Sequence, residues 1–200
     1  MRLLASLSVA LMLLTVGVGA FAQADLDTFP IGSTKMVYSI VTEELDQPQI
    51  LELVVSSHGE DLYSVSMMVE ATGTEDQLTS GFGFIFGATT VSSGVGHDVS
   101  YSSLQALMDQ RERLQEGQDY LLPGGGAFTS IVGVEIATVW CLEGSFVDPE
   151  DEDVRMTVAF ALSNPTYMSP RIVVEELRDD EWVKTFGLEL VEYTVTEGAG

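Results

Sequence analysis

The chain has 200 residues, with 31 Asp and Glu against 8 Lys and Arg and a formal net charge of −23. So acidic a surface repels nucleic acid and anionic membranes, and both are excluded as partners. A single cysteine, Cys141, excludes an internal disulfide.

At the N-terminus Arg2 precedes an apolar run from Leu3 to Ala22, followed by small residues in the small-x-small pattern at Ala20-Phe21-Ala22 and Ala22-Gln23-Ala24. This is the composition of a secretory signal peptide, residues 1–24, cleaved after Ala22 or Ala24. The expected product is exported (periplasmic, cell-surface or extracellular), with residues 25–200 as a single β-rich globular domain. No later segment is apolar for long enough to be read as a transmembrane helix.

From Thr34 onward apolar residues recur at every second position, the period of a half-buried strand. Met36, Tyr38 and Ile40 share one face, Leu51, Leu53 and Val55 the next, and Tyr63, Val65, Met67 and Val69 a third. Asp46-Gln47-Pro48 and His58-Gly59-Glu60-Asp61 supply the turns of this meander. Residues 80–96 interleave Gly81, Gly83, Gly87, Gly94 and Gly96 with Phe82, Phe84, Ile85 and Phe86, which reads as a curved strand followed by a loop.

Residues 102–116 carry a helix signature: Ser102 with Gln105 three places on as a capping box, and Leu104, Leu107, Met108 and Leu114 on one stripe. After Pro123-Gly124-Gly125-Gly126, strand patterns return over 131–143, 154–162, 171–177 and 182–195. Val154, Met156, Val158, Phe160 and Leu162 face one way, as do Trp182, Phe186, Leu188 and Leu190, against mixed opposite faces. The fold class that follows is mainly β (α+β): a single curved antiparallel sheet of about eight strands with one helix packed on its concave face. This half-barrel or sandwich layout resembles that of periplasmic lipoprotein carriers, in arrangement alone and through no shared motif.

Five features invite a chemical reading. The acidic loop 148–153 (Asp148-Pro149-Glu150-Asp151-Glu152-Asp153) could wrap calcium, but it lacks the Gly and spaced Glu of an EF-hand and reads as a solvated hairpin tip. His97-Asp98 sets a base beside a carboxylate with no marked nucleophile, and His58 lies in a tight turn. Gly81-Phe82-Gly83 and Gly124-Gly125-Gly126 end in neither Gly-Lys-Ser/Thr nor a βαβ helix, so they read as bends. Glu52, Glu70, Glu135, Glu175, Glu176, Glu189 and Glu192 fall in strands, where two could face each other as a glycosidase pair. Phe82, Phe84, Phe86, Met67, Met68, Trp140 and Phe160 could line an apolar pocket or fill a core.

Cys141, between Trp140 and Leu142, reads as a buried, inert thiol. No catalytic, cofactor-binding or metal-binding residue is assigned, and no cofactor is implied. The leading expectation is an exported non-enzymatic binding or carrier protein of unknown ligand, with an apolar cavity enclosed between sheet and helix. The alternative is a structural or assembly module of the cell envelope that holds a protein partner by a sheet edge or its acidic face. A hydrolase is the third and weakest reading.

Overall fold

The computed structural model describes residues 28–43, 45–59, 62–81, 90–92, 98–100, 107, 111–122, 125–148 and 151–197. The expected leader, residues 1–24, with its expected cleavage sites, most of the glycine–phenylalanine stretch 82–97 including His97, and much of 102–110 lie outside them.

Among the described residues there are eleven strands: β1 Gly32–Thr42, β2 Gln49–Ser57, β3 Tyr63–Glu70, β4 Thr90–Ser92, β5 Asp98–Ser100, β6 Tyr120–Leu121, β7 Ala127–Ile136, β8 Val139–Asp148, β9 Asp151–Ala161, β10 Arg171–Arg178 and β11 Glu181–Glu197. Nine of them form one open antiparallel sheet in the order β3-β2-β1-β11-β10-β9-β8-β7-β6, and β4 pairs with β5 separately. The mainly β, antiparallel expectation is met, with nine strands in the large sheet. β1 and the 17-residue β11, from the two ends of the described chain, pair as the third and fourth strands from the β3 edge.

The period-2 pattern places one apolar face across all nine strands. Leu51, Tyr38 and Leu190 stand in one row, as do Ile40, Leu188, Ile172 and Val158, and Phe186, Val174, Met156, Phe146 and Phe128. Every one of these residues is buried, and Phe128 meets Phe160 edge-on with ring centroids 5.4 Å apart. At about 1.5–3 kcal/mol for each large side chain removed from water, this face dominates the stability of the fold.

The segment joining β9 to β10 folds onto one end of that face. The Tyr38 hydroxyl donates to the Met168 carbonyl at 3.1 Å, and the Tyr193 hydroxyl to the Pro165 carbonyl at 3.2 Å. Leu107, Leu114 and Leu122, from the connection between β5 and β7, also join the core.

Three expectations need correction. The helix over 102–116 is not supported: of that span only Leu107 and residues 111–116 are described, and while Leu107 is helical, Arg111–Arg113 form a 3-10 turn and residues 114–116 are not helical. The Tyr120 hydroxyl accepts from the Gln115 amide at 3.0 Å and donates to the Arg113 carbonyl at 3.2 Å, so a side chain takes up backbone groups there. A short helix, α1 Glu75–Gly81, stands instead where no helix is expected, opened by Thr74 and Gln77. The Thr74 amide donates to Gln77 Oε1 at 2.9 Å and the Gln77 amide to Thr74 Oγ1 at 3.4 Å, the reciprocal capping box.

The strand expected over 131–143 is two strands, β7 and β8, turned at Ala137 and Thr138 with φ of 47° and 71°. Asp179 and Asp180, at 52° and 65°, turn β10 into β11 in the same way. Positive φ at both central residues suits the right-handed strand twist, although Ala-Thr lacks the usual Asn-Gly signal. Finally, the register between β10 and β11 shifts after Val174, leaving Thr185 as a bulge. Trp182 therefore leaves the face of Phe186, Leu188 and Leu190 and joins Lys184 on the opposite side.

Candidate functional site

The face opposite the core carries most of the strand charges in rows set by register, Glu176 and Arg178 being exceptions that share the core-face alternation of Ile172 and Val174 on β10. Glu143, Ala159, Arg171 and Glu189 are consecutive neighbours on β8, β9, β10 and β11. The small Ala159 leaves room for Arg171 to reach over it to Glu143 while also holding Glu189, both at 2.7 Å. Lys35 stands diagonally to Glu52 and Glu192, which flank Val37, and bridges them at 3.1 and 3.4 Å. Its pKa is raised, first by the Glu52 bond.

Arg155 holds Glu175 through Nε and Nη2 and lays its guanidinium 4.5 Å from the Trp182 ring centre, the contact that the Thr185 bulge makes possible. At one end of the sheet Arg178 takes both oxygens of Glu43, at 2.6 and 2.8 Å, and Glu176 Oε2 at 2.8 Å. The Arg178 bonds hold the Glu43 carboxyl below its usual range, and the bonds to Glu43 and then Glu176 raise the guanidinium pKa.

Five of the seven strand glutamates considered for acid–base work are thus engaged with cations: Glu52 and Glu192 with Lys35, Glu175 with Arg155, Glu176 with Arg178 and Glu189 with Arg171. Glu135 is exposed opposite Trp140, and Glu70 is exposed at the end of β3. His58 meets Ser64 Oγ at 2.8 Å across the β2–β3 turn. Asp98 opens β5, while His97 is outside the described residues. Asp148 and Asp151 stand opposite each other in the β8–β9 hairpin. Among the described residues no group of three or more His, Cys, Asp or Glu could hold a metal ion, and no helix is long and apolar enough to cross a membrane.

Cys141 is buried, and burial pushes its thiol up to about 12. Of the aromatic and methionine residues considered as a pocket lining, Phe160 is core, Trp140 is half-exposed against Gly133, and Phe82, Phe84 and Phe86 lie outside the described residues. One recess, of about 40 Å³, is lined by Arg111, Phe160, Asn164, Tyr167 and Met168 among others. It has room for a few waters.

The two edges of the sheet differ sharply. On one side β6 is two residues long, a strand too short to template another. On the other side β3 offers eight residues, YSVSMMVE, with no Lys, Arg or Pro. Register with β2 places Val65 and Met67 on the core face beside Val55 and Leu53. Yet Val65 and Met67 are each 45% exposed and Met68, on the outer face, 56%, while Leu53 and Val55 are buried. Among the described residues the apolar face runs out to a strand that is paired on one side only. Sequence periodicity assigned these side chains to the correct face but could not tell that the strand stands last in the sheet.

No family model, curated protein or solved structure matches this chain. Function must therefore be argued from the chemistry of the sheet and its edge.

Proposed function

We propose that this protein is an exported, non-enzymatic binding module that holds a protein partner along the edge of β3. The exposure of an eight-residue apolar edge strand carries the reading. Folded proteins blunt such edges with lysine, proline, a bulge or a covering element, because unpaired amides and carbonyls recruit another strand. None of those residues stands in β3. Strand addition then supplies affinity through the backbone, and Tyr63, Val65, Met67 and Val69 on one side with Ser64, Ser66 and Met68 on the other supply selectivity.

A carrier for a small apolar ligand is the second reading, favoured by Val65 and Met67 lying half-exposed on the core face. Ligand pockets of that class enclose roughly 300–1,000 Å³, and the 40 Å³ recess beside Phe160 does not supply one. Export and cleavage of residues 1–24 belong to both readings.

Photo-crosslinking in the producing cell tests the proposal. A photoreactive side chain at position 68 should yield a discrete protein adduct, one at the exposed Val147 of β8 should not, and Val65→Lys should abolish the first without changing the circular dichroism spectrum. Equal labelling at both positions, or none at position 68, would overturn it.

A further inference from the structure

We infer that the partner of β3 is an extended protein segment with basic side chains on the outer face of the sheet and apolar side chains on the core face. This rests on the edge-binding reading above and adds the partner's chemistry, argued from how charge is distributed over the sheet.

Between Lys35 and Arg111 the sequence contains no Lys or Arg but eleven Asp and Glu. Of the described cations, Arg155, Arg171, Arg178 and Lys184 lie on β9, β10 and β11, Arg111 and Arg113 in the 3-10 turn and Lys35 on β1, so β2 and β3 have none of their own. On the outer face Glu70 ends β3 beside Ile50, and Glu52 stands next to Met68. Lys35, on β1, reaches Glu52 but is shared with Glu192. Beyond the end of β3, Asp46, Glu75 and Asp76 are further exposed carboxylates.

A strand laid against β3 must place alternate residues on each face. Those on the core face meet Tyr63, Val65, Met67 and Val69, where apolar groups are favoured. Those on the outer face stand opposite Ser64, Ser66, Met68 and Glu70, with Glu52 one strand further in. Directly opposed side chains across an antiparallel pair are about 4.5–5.5 Å apart at Cβ, so a Lys or Arg there meets Glu70 in the geometry that stabilises opposite charges. A second copy of this chain fits poorly, because it brings another net −23 and a second Glu70 and Glu52 to the same seam.

The test uses the protein lacking residues 1–24 and three synthetic ten-residue peptides. One alternates Val with Lys, one alternates Val with Glu, and one is the Lys peptide N-methylated at every amide, so that neither of its edges has an N–H to donate to a strand. Binding is read by fluorescence anisotropy, and its place by hydrogen exchange of the β3 amides. The Lys peptide should bind and protect β3, and the Glu peptide should bind roughly tenfold or more weakly at low salt. The gap should narrow as salt is added, and the N-methylated peptide should not bind. In the protein, Glu70→Lys should shrink or invert the preference.

Equal binding of the Lys and Glu peptides with protection of β3 would overturn the basic partner while leaving edge binding intact. Binding of the N-methylated peptide as tight as that of its parent, or no protection of β3 by any peptide, would overturn strand addition itself. Sedimentation showing a dimer that Val65→Lys dissociates would replace the basic segment with a second copy.

Discussion

Single residues show how closely the two faces are fitted. A Cβ on Gly144 would lie 2.6 Å from the Phe128 ring and 2.9 Å from the Thr129 carbonyl oxygen, both fixed in the core. Gly144→Ala should therefore cost about 1–3 kcal/mol in urea unfolding. A Cβ on Gly133 would come as close, 2.5 Å, but to the ring of Trp140, which is half-exposed and free to swing outward. Gly133→Ala should cost clearly less than Gly144→Ala, with a change in tryptophan emission as the indole moves into water. A larger loss at Gly133 would contradict this account. Cys141 makes a second prediction at this scale. It is buried with its thiol pushed up to about 12, so disulfide reagents at pH 8 should leave the native protein unlabelled and modify the urea-unfolded chain stoichiometrically. Rapid labelling of the folded state would show the thiol to be accessible. The apolar neighbours of Cys141 announced this in the sequence, whereas nothing local marked Trp182 as a partner of Arg155.

Among the elements, alternation located the strands and local chemistry misplaced some of their ends. Val154, Met156 and Val158 occupy the face expected of them because a strand has no choice but to alternate. The fifteen-residue helix signature over 102–116 is not realised at its C-terminal end, where Leu114 is buried in the sheet's core and Tyr120 bonds the backbone that a helix would have used. Capping residues state a preference of about 1 kcal/mol, which burial of a single leucine can exceed. Bulges escape detection for a related reason: one extra residue at Thr185 is stabilised by the rows on either side of it, not by its own side chain. The tie between the ends of β1 and β10 yields a pH prediction. Glu43 has its pKa lowered by Arg178, so its contribution is present above the ordinary value of 4.5 and is lost as pH falls through the lower folded-state value. Glu43→Gln should flatten the fall in urea midpoint on acidification below pH 4.5, modestly, because the pair is partly exposed. An unchanged acid limb would mean that the pair contributes nothing.

At the scale of the molecule, a chain of net charge −23 folds into a sheet on which Lys35, Arg171 and Arg178 are each bracketed by two carboxylates. Repulsion among the surplus carboxylates acts over distances that salt screens, while the short ion pairs are screened less. Moderate salt should therefore raise the melting midpoint by about 2–4 °C, the size expected for roughly 1 kcal/mol in a chain of this length. A midpoint that falls with salt would place the net electrostatic balance in the ion pairs instead. By itself the sequence determined that the chain is acidic, that it pairs as antiparallel strands, and which residues of most strands face inward. Those properties follow from composition and from a backbone geometry that repeats every second residue. Only the tertiary structure decided that β1 pairs with β11, that Arg171 can reach across Ala159 to Glu143, and that among the described residues β3 stands last with Val65 and Met67 half-exposed. Each of these depends on which strand lies beside which, a choice made by contacts between residues far apart in the chain, and periodicity carries no record of it.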